Sequence, residues 1–351
     1  MKVKKKNNNL ISIDLFSGVG GLTEGLRKAG FNTKLAFEID ETASKAYKLN
    51  HKDIEVITDD IRIVKLEDIE KKLNGSEIHL LAGCPPCQGF SSIRRLNKAK
   101  PVEDHRNDLI NEYVRFVEYF KPYTIMLENV PWLEKDELFN EAKKKLEAMG
   151  YKIDVEVVNV RDYGVPQNRK RLVMIGSRLG EITIARPDDS KEKVTVRDCI
   201  GKLPTPEKSN DKLHKIFPEH TPNIMNLIKD IPHDGGSRKD LGEKRQLKCH
   251  KKKNVGFNDI YGRLRWDDYS STITGGCLNP SKGRFLHPRQ NRCISAREAA
   301  LLQSFRKGYK FPVNIPISKL ALMIGNALPP KFSCYQAKKI KKHLLEYLTV
   351  K

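Results

Sequence analysis

The strongest constraint on the fold is a repeated alternation, through the first half of the chain, of short apolar β-rich segments with stretches patterned as helices. The apolar segments fall at residues 11–16, 34–39, 54–58, 78–82, 123–127, 155–160 and 172–176, each of strand length. Between them, Leu22 and Leu26 lie one turn apart before Gly30, and Leu109, Tyr113, Val114, Val117 and Phe120 form a stripe at helical spacing. A third helical pattern runs from Leu138 to Met149 and stops at Gly150, a residue suited to the position just past a helix end. Strand, helix and strand in succession predict an α/β fold. Its centre is a doubly wound, mostly parallel, Rossmann-like sheet with ligands at the carboxyl ends of the strands.

From about residue 186 to 320 the alternation is lost, and the chain becomes irregular, basic and rich in turn residues such as Pro232-His-Asp-Gly-Gly236. A second, smaller domain is expected there. Near its end, Ser295-Ala-Arg-Glu298 has the form of a capping box opening a helix, residues 272–276 suit a strand and turn, and residues 331–348 suit a basic amphipathic helix. With 351 residues, 38% of them hydrophobic and 31% charged, the chain can bury a large core and does not have the composition of a disordered protein. The lysine- and asparagine-rich start reads as a solubilising arm.

Lysine and arginine number 65 against 44 acidic residues, a net charge of +21. That excess suits a polyanionic partner and equally a merely soluble basic protein. Seven cysteines are odd in number and too sparse for a disulfide scaffold, which indicates a reducing interior, cytoplasmic or, in a cell with a nucleus, nuclear. The apolar stretch after the basic start is broken by Asp14 too soon for a signal peptide, and no apolar run has membrane length, so no membrane partner is expected.

Two segments carry candidate chemistry. Asp14-Leu-Phe-Ser-Gly-Val-Gly-Gly21 follows the first apolar segment and leads into a helix, so its glycines would let backbone approach a ligand at a helix amino terminus. Its spacing fits a dinucleotide fingerprint poorly, since Thr23 stands where a small residue is wanted. Glu38, closing the second segment, and Asp60, after the third, stand where an acid can take ribose hydroxyls, or are simply solvated loop charges. Cys84-Pro-Pro-Cys87 admits redox, metal or nucleophilic readings. A zinc site needs a second ligand pair, but Cys249 and His250 stand alone, so no metal is expected. A redox pair of this spacing belongs in a shorter chain, which leaves covalent catalysis.

The core Pro86-Cys87-Gln88, with Gly89-Phe90-Ser91, resembles the signature of the C5-cytosine-specific DNA methyltransferases of restriction-modification systems. Other segments resemble further family motifs, in family order and over nearly the whole chain. Phe16-Ser-Gly-Val-Gly20 resembles the S-adenosylmethionine loop, Glu128-Asn-Val130 the active-site acid and Gln167-Asn-Arg-Lys-Arg171 the arginine motif. Ser295-Ala-Arg-Glu298 resembles the penultimate block and Gly325-Asn326 the last.

The resemblance implies a class I S-adenosylmethionine-dependent methyltransferase, with residues 1–185 plus 321–351 as the catalytic domain and 186–320 as the target-recognition domain. S-adenosylmethionine would be held by Phe16, Gly18, Gly20, Glu38, Asp60 and Asn326. Cys87 would attack cytosine C6, Glu128 would address N3, Arg171 would hold O2 and orient Glu128, and Arg169 would support the catalytic loop. A basic lid over residues 91–106, with Ser91, Arg94 and Arg95, would contact DNA, as would Arg263 and Arg265. The implied protein is a nucleoid-associated cytoplasmic monomer acting on double-stranded DNA, with a restriction endonuclease as companion. Two rivals share the fold. A tRNA cytosine methyltransferase would carry a Cys-Phe-Thr segment, which is absent; a silent DNA-binding homologue would not need Cys87, Glu128, Arg169 and Arg171 together.

Overall fold

Among the described residues seven strands form one sheet: β1 (Leu10–Leu15), β2 (Phe31–Phe37), β3 (Glu55–Ile57), β4 (Leu80–Gly83), β5 (Thr124–Asn129), β6 (Lys152–Asn159) and β7 (Lys170–Ser177). The computed structural model describes residues 9–86, 109–187, 192–242 and 259–348. Each apolar segment singled out above supplies one strand. The order across the sheet is β3-β2-β1-β4-β5-β7-β6. β1 pairs in parallel with β2 and β4, β2 with β3, and β4 with β5, whereas β7 runs antiparallel to β5. Every residue of β1, β4 and β5 is buried. That explains why these strands read as continuous apolar runs and not as alternating ones.

The helices begin and end where local chemistry dictates. α1 (Gly21–Ala29) lies between Gly20 and Gly30, both left-handed with φ of 91° and 93°, a conformation that a side chain would strain. α2 (Glu41–Asn50) starts at Asp40, whose carboxylate accepts the amides of Thr42 and Ala43. α3 (Leu66–Leu73) and α4 (Leu109–Phe120) follow, and α5 (Glu137–Ala148) opens on the Asp136 cap. One apolar core collects Ile13, Leu15, Phe37, Phe116, Leu127 and Leu172, with the Phe37 and Phe116 rings edge to face at 5.1 Å.

The described residues group into two compact units. The first is drawn from Met1–Val158, Lys170–Arg186 and Ser333–Lys351, the second from Asn159–Arg169 and Pro187–Phe332. The sequence reading had set residues 159–169 and 321–332 with the amino-terminal half. Side chains explain the difference, because Gln167 and Arg169 spend their hydrogen bonds on the backbone of Ile273, Leu302 and Gly325.

The second unit contains α6 (Val196–Ile200), α7 (Pro222–Asp230), α8 (Ala296–Leu302) and α9 (Ile317–Asn326) among long irregular stretches. The capping box at Ser295 is present, with Glu298 reaching back to the Ser295 amide. No strand forms over residues 272–276. The backbone there is tied instead by the Ile273 amide to Gln167 Oε1 at 2.8 Å and by the Thr272 hydroxyl to the Asn168 carbonyl at 2.7 Å.

α10 (Pro330–Leu348) brings the carboxyl-terminal segment onto the first unit. Ser333 donates to the carbonyls of Gly21 and Leu22 at the start of α1, and Lys341 Nζ donates to the Ala29 carbonyl at its end, 3.1 Å away. Gln336 accepts the Ala185 amide, and His343 Nε2 lies 2.7 Å from the Ser177 hydroxyl. Among the described residues no helix is long and apolar enough to cross a membrane. Ala337, Ile340 and Leu344 are wholly buried. A chain ending at Phe332 should therefore lose on the order of 5 kcal/mol of stability, since burying Ile or Leu contributes about 1.5–3 kcal/mol each. A urea unfolding series followed by circular dichroism tests this; an unchanged midpoint would remove the role given to α10.

Candidate active site

The turn after β1 is shaped by its backbone. Phe16 and Gly18 have positive φ of 58° and 55°, and the Gly18 amide donates to Glu38 Oε2 at 2.7 Å. The Asp40 amide takes the other oxygen of Glu38 at 2.8 Å. The end of β2 is thereby tied to the glycine turn. A side chain at Gly18 would meet nothing within 4 Å, so open space adjoins this turn. Behind it, Asp14 is fully buried, with Oδ2 accepting the Thr23 hydroxyl at 2.5 Å; that hydroxyl in turn lies 2.8 Å from the Tyr47 hydroxyl. Asp14 Oδ1 and Ser17 Oγ are buried and have no hydrogen-bond partner among the described residues.

Burial pushes the Asp14 carboxyl up to about 7, with Thr23 opposing and Glu38 adding to the rise. Burial also raises Glu38, against the lowering effect of the two amides it accepts. Asp60, past β3, is paired with Arg62, whose hydrogen bond holds the carboxyl below its usual range. Ile39 and Ile63, next to Glu38 and Arg62, are 62% and 76% exposed. Neither exposed isoleucine was singled out from the sequence.

At the ends of β4 and β5 the geometry is tighter. Glu128, the next-to-last residue of β5, accepts Arg171 Nε at 2.8 Å, and the two side chains keep only 8% and 14% of their exposure. Water scarcely screens this pair. Cys84 leaves β4 beside them. Burial first, then the charges of Glu128 and Asp14, drive its thiol well above the ordinary range, so it stays protonated and a poor nucleophile. Asn129 was also overlooked. Its Nδ2 donates to the Pro85 carbonyl at 2.8 Å while its Oδ1 accepts the Val130 amide, which fixes the Cys84-Pro85 turn to the end of β5. Cys87, Ser91, Arg94 and Arg95, together with the basic segment 91–106, lie outside the described residues.

Thus Phe16, Gly18, Gly20, Glu38, Glu128 and Arg171 gather at one end of the first unit's strands, with Asp60 past β3. Arg169 and Asn326 belong to the second unit. There Arg169 donates Nη1 to the Ile273 carbonyl at 2.8 Å and Nη2 to the Gly325 carbonyl at 3.0 Å. Gly325 is required by close approach, since a Cβ would stand 2.1 Å from the Thr274 carbonyl carbon. Asn326 next to it is exposed.

Arg263 does not fit the expected DNA-contact role. It is wholly buried, and its guanidinium donates to the carbonyls of Ile228, Ile231, His287 and Gln290 and to Asn291 Oδ1. Burial lowers its pKa to about 10. Arg263 organises the interior of its unit, and a guanidinium so engaged has no donor left for a phosphate. Arg265, two residues on, is exposed. Among the described residues no cluster of His, Cys, Asp or Glu is placed to hold a metal ion.

Comparison with known proteins identifies the family. A profile of the family described as C-5 cytosine-specific DNA methylase matches residues 10–342. Type II methylase M.HgiDII of Herpetosiphon aurantiacus is 35% identical over 343 residues, spanning 95% of this chain and 95% of that protein. Type II methyltransferase M1.HphI of Haemophilus parahaemolyticus is 32% identical over 330 residues, spanning 92% and 84% respectively. Among solved structures, a DNA modification methyltransferase encoded within a prophage (E. coli) superposes with a TM-score of 0.74 at 25% identity, covering 97% of this chain and 100% of that one.

The two neighbouring arginines of the second unit should behave differently on truncation. Arg263→Ala leaves buried carbonyls without a donor and should cost about 3–5 kcal/mol, whereas Arg265→Ala should stay within about 0.5 kcal/mol of the parent. Thermal unfolding of both variants tests the assignment, and equal midpoints would refute it.

Proposed function

Because the chain belongs to the C-5 cytosine-specific DNA methylase family, we propose that Cys87 adds to cytosine C6 within a specific duplex sequence, with Glu128 and Arg171 making the ring receptive. The protein is a DNA (cytosine-5-)-methyltransferase that uses S-adenosylmethionine. The observation that carries the proposed division of labour is the buried Glu128–Arg171 pair beside the Cys84-Pro85 turn, just ahead of Cys87 in the chain.

Cytosine C5 is too weak a nucleophile to take a methyl group unaided. Addition of the Cys87 thiolate to C6 turns C5 into an enamine-like carbon. Glu128 addresses N3, by hydrogen bond or proton, which draws electrons from C6 and eases the attack. Arg171 holds O2 and keeps Glu128 in place through the 2.8 Å contact. S-adenosylmethionine supplies the methyl group from its sulfonium. Loss of the C5 proton then expels Cys87. A stacked base cannot offer C6 to a thiol, so the cytosine is turned out of the helix, at a cost of a few kcal/mol. The basic segment with Ser91, Arg94 and Arg95 is suited to close over it.

Phe16, Gly18, Gly20, Glu38 and Asp60 are the residues of the first unit that would hold the donor. The fit is supported by the unpartnered Asp14 Oδ1 and Ser17 Oγ and by the open space at Gly18. Arg169 acts in the second unit by fixing Ile273 and Gly325. That unit reads the target sequence, with exposed Arg265 on the phosphates. We place the enzyme in the nucleoid-associated cytoplasm as a monomer with a companion restriction endonuclease.

Incubation with tritiated donor and either duplex DNA or tRNA tests this reading; label on tRNA alone would overturn it. Cys87→Ser should abolish transfer, and Cys84→Ser should retain it. Arg265→Ala should weaken DNA binding across all sequences and reduce the salt slope by about one.

A further inference from the structure

A wholly buried carboxylate and a half-buried one stand at the carboxyl ends of neighbouring strands, with no cation paired to either among the described residues. Asp14 of β1 is wholly buried, and Glu38 directly follows β2. Neither forms an ion pair among the described residues. Glu38 is satisfied by the amides of Gly18 and Asp40, and Asp14 by Thr23 on one oxygen only. A buried acid with no counter-charge is held at a cost, and it stays neutral or waits for a cation. The contrast with Glu128, which has Arg171 at 2.8 Å, is local and direct.

S-adenosylmethionine is a net cation, because the sulfonium adds to its amino-acid zwitterion. The demethylated product has lost that charge and is neutral overall. We propose that Asp14 and Glu38 form an uncompensated acidic pair that favours the charged methyl donor over its neutral product, with Asp14 releasing its proton to solvent as the donor binds. Asp14 Oδ1 and Ser17 Oγ, unpartnered among the described residues, and the open space beside Gly18 mark this turn as suited to a group that those residues do not supply.

The groups around Asp14 support the same direction. Glu38 at the end of β2 disfavours its ionisation; Thr23 on α1 favours it, and Tyr47 of α2 touches Thr23 from behind. Cys84 after β4 is electrostatically coupled to Asp14 and remains a neutral thiol. Arg171 is already committed to Glu128. With the free Asp14 carboxyl poised at about 7, a bound cation lowers it. Donor affinity should then rise with pH up to about neutrality and level off above.

This inference rests on the donor site proposed above, and isothermal titration of the full chain separates the two. Donor and product are each titrated from about pH 6 to about pH 8 in buffers of different ionisation enthalpy. Donor affinity should rise about tenfold over that range with proton release in the acid half, and product affinity should change less. Asp14→Asn should bind the donor without the pH dependence. If that variant fails to fold, the proton count in the unaltered chain still decides. Donor binding with no proton released, or product linked to as many protons as donor, would overturn the proposal. Absence of donor binding at every pH would overturn the donor site itself.

Discussion

Parallel pairing of β1 through β5 puts every carboxyl end of those strands on one edge of the sheet. The turn after β1, Glu38 after β2, Asp60 after β3, Cys84 after β4 and Glu128 near the end of β5 all follow from that single constraint. β7 runs the other way, so its first residues and not its last arrive at the same edge. That is how Arg171, the second residue of a strand, meets Glu128, the next-to-last residue of its neighbour. An all-parallel sheet would have carried Arg171 to the far edge, leaving Glu128 buried and alone.

Burying charge has been handled in two ways within a few residues. Glu128 carries its own cation and remains an ion pair held away from water. Asp14 and Glu38 have none among the described residues, and burial raises both carboxyls. The first arrangement suits a group that must keep one orientation through a reaction. The second suits a site whose counter-charge arrives with the ligand and leaves after reaction. Desolvation is the same in both; the difference lies in whether the chain or the ligand offsets it.

Much of this was legible before any coordinates. The strands could be read from their apolar β-rich runs, most continuous in the fully buried β1, β4 and β5, and the glycines around α1 and the capping box at Ser295 announced themselves by residue type. What stayed hidden depends on partners distant in sequence. An arginine enclosed by carbonyls looks the same in sequence as one on a surface, so Arg263 was read as a DNA contact. The unit boundaries escaped notice for a like reason, since Gln167 and Arg169 are bound to residues more than a hundred positions away. Asn129 carries no motif role of its own in the sequence, and only the fold ties it to the Cys84-Pro85 turn.

The clasp of α10 on α1 has a bearing on synthesis. Ser333 and Gly21 are 312 positions apart, yet the hydroxyl of one satisfies a carbonyl of the other. At ordinary rates of translation the ribosome takes roughly 15–60 s to cover that distance. During that interval α1 exists without the helix that covers it, and the glycine turn at its head lacks its support. A chain released before residue 333 lacks both the hydroxyl that satisfies the Gly21 carbonyl and the buried Ala337, Ile340 and Leu344 of α10.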